Sequence, residues 1–192
     1  MTALGIDNGF FPTYHYRMAT RTEYTGELAI DLANTLQLQR DGTTADLLAD
    51  RYGLARWLRG TGGPDAMSSR QLQALREPVR ALLAAAVQRR ALPPAAVTAV
   101  NRAAAAGPTV VQLEADELVV SSAASPPEAF LADVAASAIS MVGGPSRDRL
   151  RQCGAPGCGR WFLASRPRQH WCSPACGNRA RLARFHQRHR AA

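Results

Sequence analysis

The 192-residue chain contains no lysine; all 23 of its basic residues are arginine. It has no cysteine before position 153, no acidic residue after Asp148, and His15 as its single histidine upstream of those cysteines. Each absence bears on what the protein can do. No apolar run approaches the roughly 18 residues of a membrane span, so no membrane partner is expected. The first residues lack the basic stretch and apolar core of an export signal, and the expected compartment is the cytoplasm. There is no internal repeat, no glycine-rich phosphate cradle, and no Ser/His/Asp or Cys/His set able to pair a nucleophile with a base. The chain is therefore not expected to be an enzyme. The missing lysine by itself excludes little, although a planar guanidinium fork suits bidentate contacts to phosphate or guanine.

What is present concentrates near the end. Cys153, Cys158, Cys172 and Cys176 follow the spacing C-x4-C, thirteen residues, C-x3-C. Two thiolate pairs joined by a short loop can each hold one edge of a tetrahedron, which predicts one zinc ion. Two disulfides are the alternative; they suit small secreted domains, and nothing in the chain marks one. Four thiolates leave no coordination position for water, so the zinc is expected to be structural. His170, His186 and His189 are read as packing or phosphate-facing residues, with exchange of one for a cysteine ligand as the lesser alternative.

The intervening residues predict a small finger. Gly154, Pro156, Gly157 and Gly159 suit a zinc knuckle. Trp161 to Leu163, a turn at Ser165–Pro167, and His170-Trp171 read as a short hairpin. Ser173-Pro174 reads as the cap and first position of a helix running to about His189. Knuckle, hairpin and helix in that order give a treble-clef-like finger. On its helix Leu182 and Phe185 are expected to cover the metal core together with Trp161 and Trp171. Gly177, Arg181, Arg184 and Arg188 fall on another face.

Charge separates the chain into two parts. Residues 149–192 carry ten arginines and no acid, a charge of +10, whereas residues 1–148 carry thirteen arginines against fifteen acids, or −2. A solvated helix face normally mixes both signs; a segment of one sign favours a polyanion partner. Arg160 and Arg168 add to the arginine row from outside the helix. DNA is the expected partner. RNA, or an acidic protein surface, is the alternative.

Cys176-Gly177-Asn178-Arg179 is the tetrapeptide that names the CGNR zinc fingers, and the upstream C-x4-C, Phe162-Leu163 and Trp171-Cys172-Ser173 also resemble that family. The family places its finger after an ABATE domain. Leu28-Ala29-Ile30-Asp31-Leu32-Ala33-Asn34-Thr35 resembles that domain's LALDFxNT opening, and Leu54-Ala55-Arg56-Trp57-Leu58 resembles its LxxWL segment. The resemblance implies a stress-induced transcription regulator with the four cysteines as zinc ligands, and Asn178 and Arg179 in contact with nucleic acid. Ala164 and His170 depart from the acidic and basic residues that the family often has there.

Upstream, the reading is mostly helical. Residues 1–20 are expected as a flexible extension, 21–145 as an ABATE-like sensory or assembly domain, and 149–190 as the finger. Helices are predicted over residues 27–39, over Asp46–Arg59 with a break near Gly53, and from Ser68 or Ser69 onward with a kink or split at Pro78. Two more are predicted, from Pro93-Pro94 to about Ala106 and from Pro126-Pro127 to about Val142. Thr109–Leu113 and Leu118–Ser121 predict a β-hairpin with an acidic tip, Glu114, Asp116 and Glu117. Asp31 and Asn34 are either lining for a small-molecule effector pocket or a buried polar pair that fixes packing. Gly143 to Ser146 is expected to be a hinge across which effector binding or homodimer formation repositions the finger. The fold class is thus α+β: a mostly helical domain with a small hairpin, followed by a treble-clef-like zinc finger.

Overall fold

The computed structural model describes Thr25 and residues 27–39, 41–114 and 116–190; the extension expected over residues 1–20 lies outside them. The class is α+β, with helices packed around one core and three separate two-stranded antiparallel sheets among the described residues. At the centre is α1 (Leu28–Ala33), whose six residues are all buried. It is surrounded by α3 (Ser69–Val87) and α5 (Pro126–Gly143), and α4 (Pro94–Ala106) packs on both of those.

The predicted helix over residues 27–39 stops at Ala33. Leu36–Leu38 (β1) instead pairs with Thr44–Asp46 (β2). The cause is a tight turn: Gly42 adopts φ 86°, and the Asp41 carboxylate accepts from the Thr43 amide at 2.9 Å and its hydroxyl at 2.7 Å. Asp-Gly is a strong hairpin signal, and here it outweighs the apolar spacing that suggested a helix. The second helix correspondingly begins later, as α2 (Arg51–Thr61), with the Asp50 carboxylate capping Tyr52 and Gly53. Gly53 does not break it. A side chain there would overlap the Leu47 carbonyl, so glycine lets the first turn of α2 lie against the end of β2.

Ser68 and Gln71 form a capping box at the start of α3, which continues unbroken through Pro78. The proline removes the amide that would bond the Ala74 carbonyl. Ala74 is exposed, so water can satisfy the carbonyl instead of the helix splitting. Two arginines one turn apart on α3 tie the preceding elements together. Arg76, 4% exposed, makes a bidentate pair with Asp46 at 2.6 and 2.7 Å and donates to the Thr35 hydroxyl at 3.0 Å. Arg80 donates to the Ala33 carbonyl at 2.7 Å, at the end of α1.

The hairpin appears as predicted, with β3 (Thr109–Glu114) against β4 (Glu117–Ser122). After α5, the anticipated hinge is a hydrogen-bonded corner. The Gly144 amide donates to the Ser140 carbonyl at 2.9 Å, and Pro145–Arg149 form a single 3-10 turn packed on α5. The chain then enters β5 (Leu150–Gln152), paired with β6 (Trp161–Leu163).

These two strands join the finger to the helical core. Successive strand residues point to opposite sides. Trp161, 3% exposed, and Leu163 pack into the main core with Leu150, while Phe162 packs with the cysteines in a second, smaller core. The finger is seated on the helices through buried side chains, not suspended from a hinge.

Candidate metal centre and the basic helix beside it

The first cysteine pair occupies the connection between β5 and β6. Gly157 (φ 63°) and Gly159 (φ 68°) allow a reversal too tight for side-chain-bearing residues. The Cys153 amide bonds the Arg160 carbonyl at 2.8 Å, and the Gly159 amide bonds the Cys153 carbonyl at 3.2 Å. The hairpin thus surrounds the knuckle. The hairpin expected between Trp161 and Trp171 does not form, because β6 finds its partner upstream. A loop follows, then α6 (Pro174–Arg190). Pro174 is its first residue, and the Ser173 hydroxyl accepts from the Cys176 amide at 3.2 Å. Cys176 therefore lies in the first turn, where the helix dipole favours a thiolate. Knuckle, loop and helix make a treble-clef-like finger.

The four sulfurs lie within 4.8 Å of one another. Cys158 to Cys172 is 3.7 Å, Cys172 to Cys176 3.5 Å, and Cys176 to Cys158 3.7 Å. A Zn–S bond of about 2.3 Å requires tetrahedral edges of about 3.8 Å, whereas a disulfide requires about 2.05 Å. The spacing fits one tetrahedral zinc and excludes disulfides. All four ligands are cysteines, so no histidine replaces one. Without metal, burial pushes the Cys158 and Cys172 thiols up. Burial acts the same way on Cys176, but hydrogen bonds from Ser173, the neighbouring cysteines and Arg179 outweigh it and bring this thiol to about 7. Zinc, when bound, replaces these protons and holds the knuckle and helix together.

The tetrapeptide Cys176–Arg179 acquires a physical meaning from its surroundings. A Cβ on Gly177 would lie 3.1 Å from Trp171 Cδ1, so glycine lets the indole lie over the helix start. Trp171 packs with the cysteine core from there. Arg179 Nη2 donates to Cys176 Sγ at 2.9 Å, bringing a positive charge to a centre that carries a net −2 with Zn2+. The nucleic-acid role expected for Arg179 thus competes with a direct role at the metal. Asn178 is exposed, its side-chain oxygen accepting from Arg181.

The packing row predicted on α6 is not buried. Leu182 and Phe185 are 60% and 47% exposed, and Trp161 faces the helical core rather than the metal. Four small, tightly packed cysteines with Phe162, Ala164 and Trp171 already close the metal core, so the helix beyond Ala180 has nothing to cover. Leu182 and Phe185 share an open surface groove with Arg181, Arg184 and Arg188. The Phe185 and His189 rings lie 4.0 Å apart. Arg168 is exposed in the loop before α6, away from that row in sequence.

Asp31 and Asn34 come together with Arg160 and Arg179 along a cleft of about 820 Å3 between α1, α2 and the finger, lined also by Arg56 and Trp57. Asn34 is occupied there: its amide donates to the Trp161 carbonyl at 3.0 Å, and its oxygen accepts from the Trp161 amide at 2.8 Å. Asp31 Oδ1 accepts from the Thr25 amide at 2.9 Å and hydroxyl at 3.0 Å. The pair is buried and hydrogen-bonded, as the packing alternative requires. Sequence reasoning missed that Asn34 binds the finger; a polar residue immediately after a fully buried helix gives no local sign of its partner 127 positions away.

A metal-ordered, four-cysteine finger built onto a helical domain defines the class. Family comparison agrees in both parts: residues 26–145 match ABATE, described as "Putative stress-induced transcription regulator", and residues 149–189 match the CGNR zinc finger. The chain belongs to the ABATE family and is a zinc-binding member with a CGNR finger. A search of curated proteins finds no match. Among the described residues no helix is long and apolar enough to cross a membrane.

Proposed function

We propose that the protein is a cytoplasmic regulator, not an enzyme, that binds duplex DNA through the exposed side of α6. One observation carries the reading: Arg181, Arg184 and Arg188 project together from an unobstructed helix in a segment with no acidic residue. At 17 residues, α6 is about 25 Å long, enough to lie in a major groove about 12 Å wide. The arginines would pair with phosphates and set the register, while Leu182, Phe185 and Asn178 reach base edges. Zinc contributes by fixing where the helix starts, so the arginine row is presented from a rigid base.

The test is binding of the zinc-loaded full chain to random-sequence duplex DNA across a salt series, with and without a chelator. Three phosphate contacts predict that log K falls with log salt at a slope of about −2.7. Removing any one of the three arginines flattens the slope by about 1. No binding at low salt with zinc present would overturn the proposal.

Exposed Phe185 also supports a second reading, RNA or single-stranded nucleic acid, because an aromatic face can stack an unpaired base. Competition between duplex and single-stranded RNA separates the two. A small-molecule effector in the cleft beside Asn34 would act directly on the joint between finger and helices.

A further inference from the structure

Among the described residues, the β3–β4 hairpin groups the most exposed aliphatic side chains that the DNA reading does not use. Val110, Val111 and Leu113 are 54%, 64% and 77% exposed. A two-stranded ribbon is marginal in water unless a face is covered, and clustered exposed apolar residues mark contact surfaces. The ribbon is also acidic: between Thr109 and Ser125 the sequence has Glu114, Asp116 and Glu117 and no basic residue. Among the described residues the other exposed large apolar pair this close together is Leu182 and Phe185 on α6, where arginine is the sole charged residue type.

We infer that the β3–β4 hairpin of one copy docks on α6 of a second copy. The two surfaces match in chemistry and scale. Val111 and Leu113, two apart on a strand, sit on one face about 7 Å from each other. Leu182 and Phe185, three apart on a helix, are about 5–6 Å apart on one side. In the sequence Glu114, Asp116 and Glu117 follow the first pair directly and arginine surrounds the second, so the two stretches are opposite in charge as well as both apolar. Both surfaces belong to one chain and neither covers the other within it, which is why the occupant is a second copy. Each protomer offers one hairpin and one helix, so the inferred assembly is a two-fold pair in which the contact is made twice.

Resting on the DNA proposal, this contact has a regulatory consequence. It covers the arginines that DNA would need, so dimer and DNA complex compete for α6.

Sedimentation of the zinc-loaded full chain at low salt tests the contact without nucleic acid. The expected result is a dimer of the 20.6 kDa chain that dissociates as salt rises. The double reversals Glu114→Arg with Glu117→Arg, and Arg184→Glu with Arg188→Glu, should each give monomers of unchanged helix content and zinc stoichiometry. An equimolar mixture should dimerise again, because both contacts in the mixed pair are complementary. A wild-type chain that stays monomeric, a dimer indifferent to both reversals, or a mixture that stays monomeric would each overturn the inference. Leu113→Ser should also yield a monomer, and it adds no charge. This variant should then bind DNA more tightly than wild type at concentrations where wild type is dimeric. If wild type dimerises but neither protein binds DNA, the DNA proposal fails and the dimer stands. If both bind DNA equally, the competition step fails.

Discussion

The side-chain amide of Asn34 pairs with both the amide and the carbonyl of Trp161, 127 positions away, at 2.8 and 3.0 Å. A side chain at the end of α1 thereby acts as a short stretch of strand beside the finger's hairpin. Both Trp161 backbone groups are buried, so their partners cannot be replaced by water without opening the joint. Substituting Asn34→Leu removes both bonds while keeping approximate volume. It should lower stability by about 2–4 kcal/mol, from two buried backbone groups left unsatisfied. Chemical denaturation of the zinc-loaded protein reads this, and an unchanged midpoint would remove Asn34 from the joint.

Metal removal should be felt well beyond the finger. Leu150 and Trp161 are 1% and 3% exposed in the same core as Phe130 and Leu83. Chelation, or Cys158→Ser, frees the knuckle that sets β5 against β6. The expected outcome is a lower melting temperature for the helical signal in circular dichroism. A helical transition insensitive to zinc would show that the domains fold separately.

Arg179 should matter for metal affinity. Replacing it with alanine removes the hydrogen bond and the positive charge beside Cys176. Changes to groups that contact metal ligands typically lower affinity about 10–100-fold. Competition against a chromophoric chelator measures this directly. If affinity is unchanged while DNA binding falls, Arg179 belongs to the nucleic-acid surface instead.

Gly177 carries a packing constraint that a size series can expose. Alanine brings a Cβ to 3.1 Å from Trp171 Cδ1 and requires a small shift of the indole. Valine requires displacement, with an overpacking cost of about 1–3 kcal/mol. Tryptophan fluorescence should red-shift progressively from glycine to alanine to valine. An identical spectrum across the series would show that Trp171 does not rest on this helix start.

The Asp46–Arg76 pair predicts acid sensitivity with a definite sign. The Arg76 hydrogen bonds hold the Asp46 carboxyl below its usual value, against the opposing effect of burial. A carboxyl depressed in the folded state stabilises the fold above its unfolded pKa of about 3.9 and loses that contribution as pH falls through the folded value. Asp46→Asn should remove this part of the acid dependence. At neutral pH it should cost about 3 kcal/mol, the lower end for a broken buried pair, because Asp46 keeps a fifth of its side chain in water. Urea midpoints between pH 3 and 7 test both points, and parallel wild-type and mutant curves would sink the assignment.

Much of this protein is legible in its sequence because the deciding interactions are local. Cysteine spacing defined the metal site, since chelation depends on a few covalently linked residues. Ser68 or Ser69, Pro94 and Pro126 marked helix starts because the signals for a first turn act within one turn. The excess of arginine after Asp148 needed only counting. What the sequence left undecided depends on residues far apart in the chain. The 27–39 segment has apolar spacing that suits a helix, and only pairing of Leu36–Leu38 with Thr44–Asp46 shows that it turns into a strand. Leu182 and Phe185 have helical spacing that suits burial, but spacing cannot say whether a neighbour exists, and the four cysteines with Trp171 had already closed the metal core. Gly143-Gly144 has the composition of a hinge. Just beyond it, Leu150 and Trp161 are buried in the main core and Asn34 bonds Trp161, contacts that join distant parts of the chain. Composition and spacing determined which chemistry the chain carries; long-range packing alone decided which faces of it remain open to a partner.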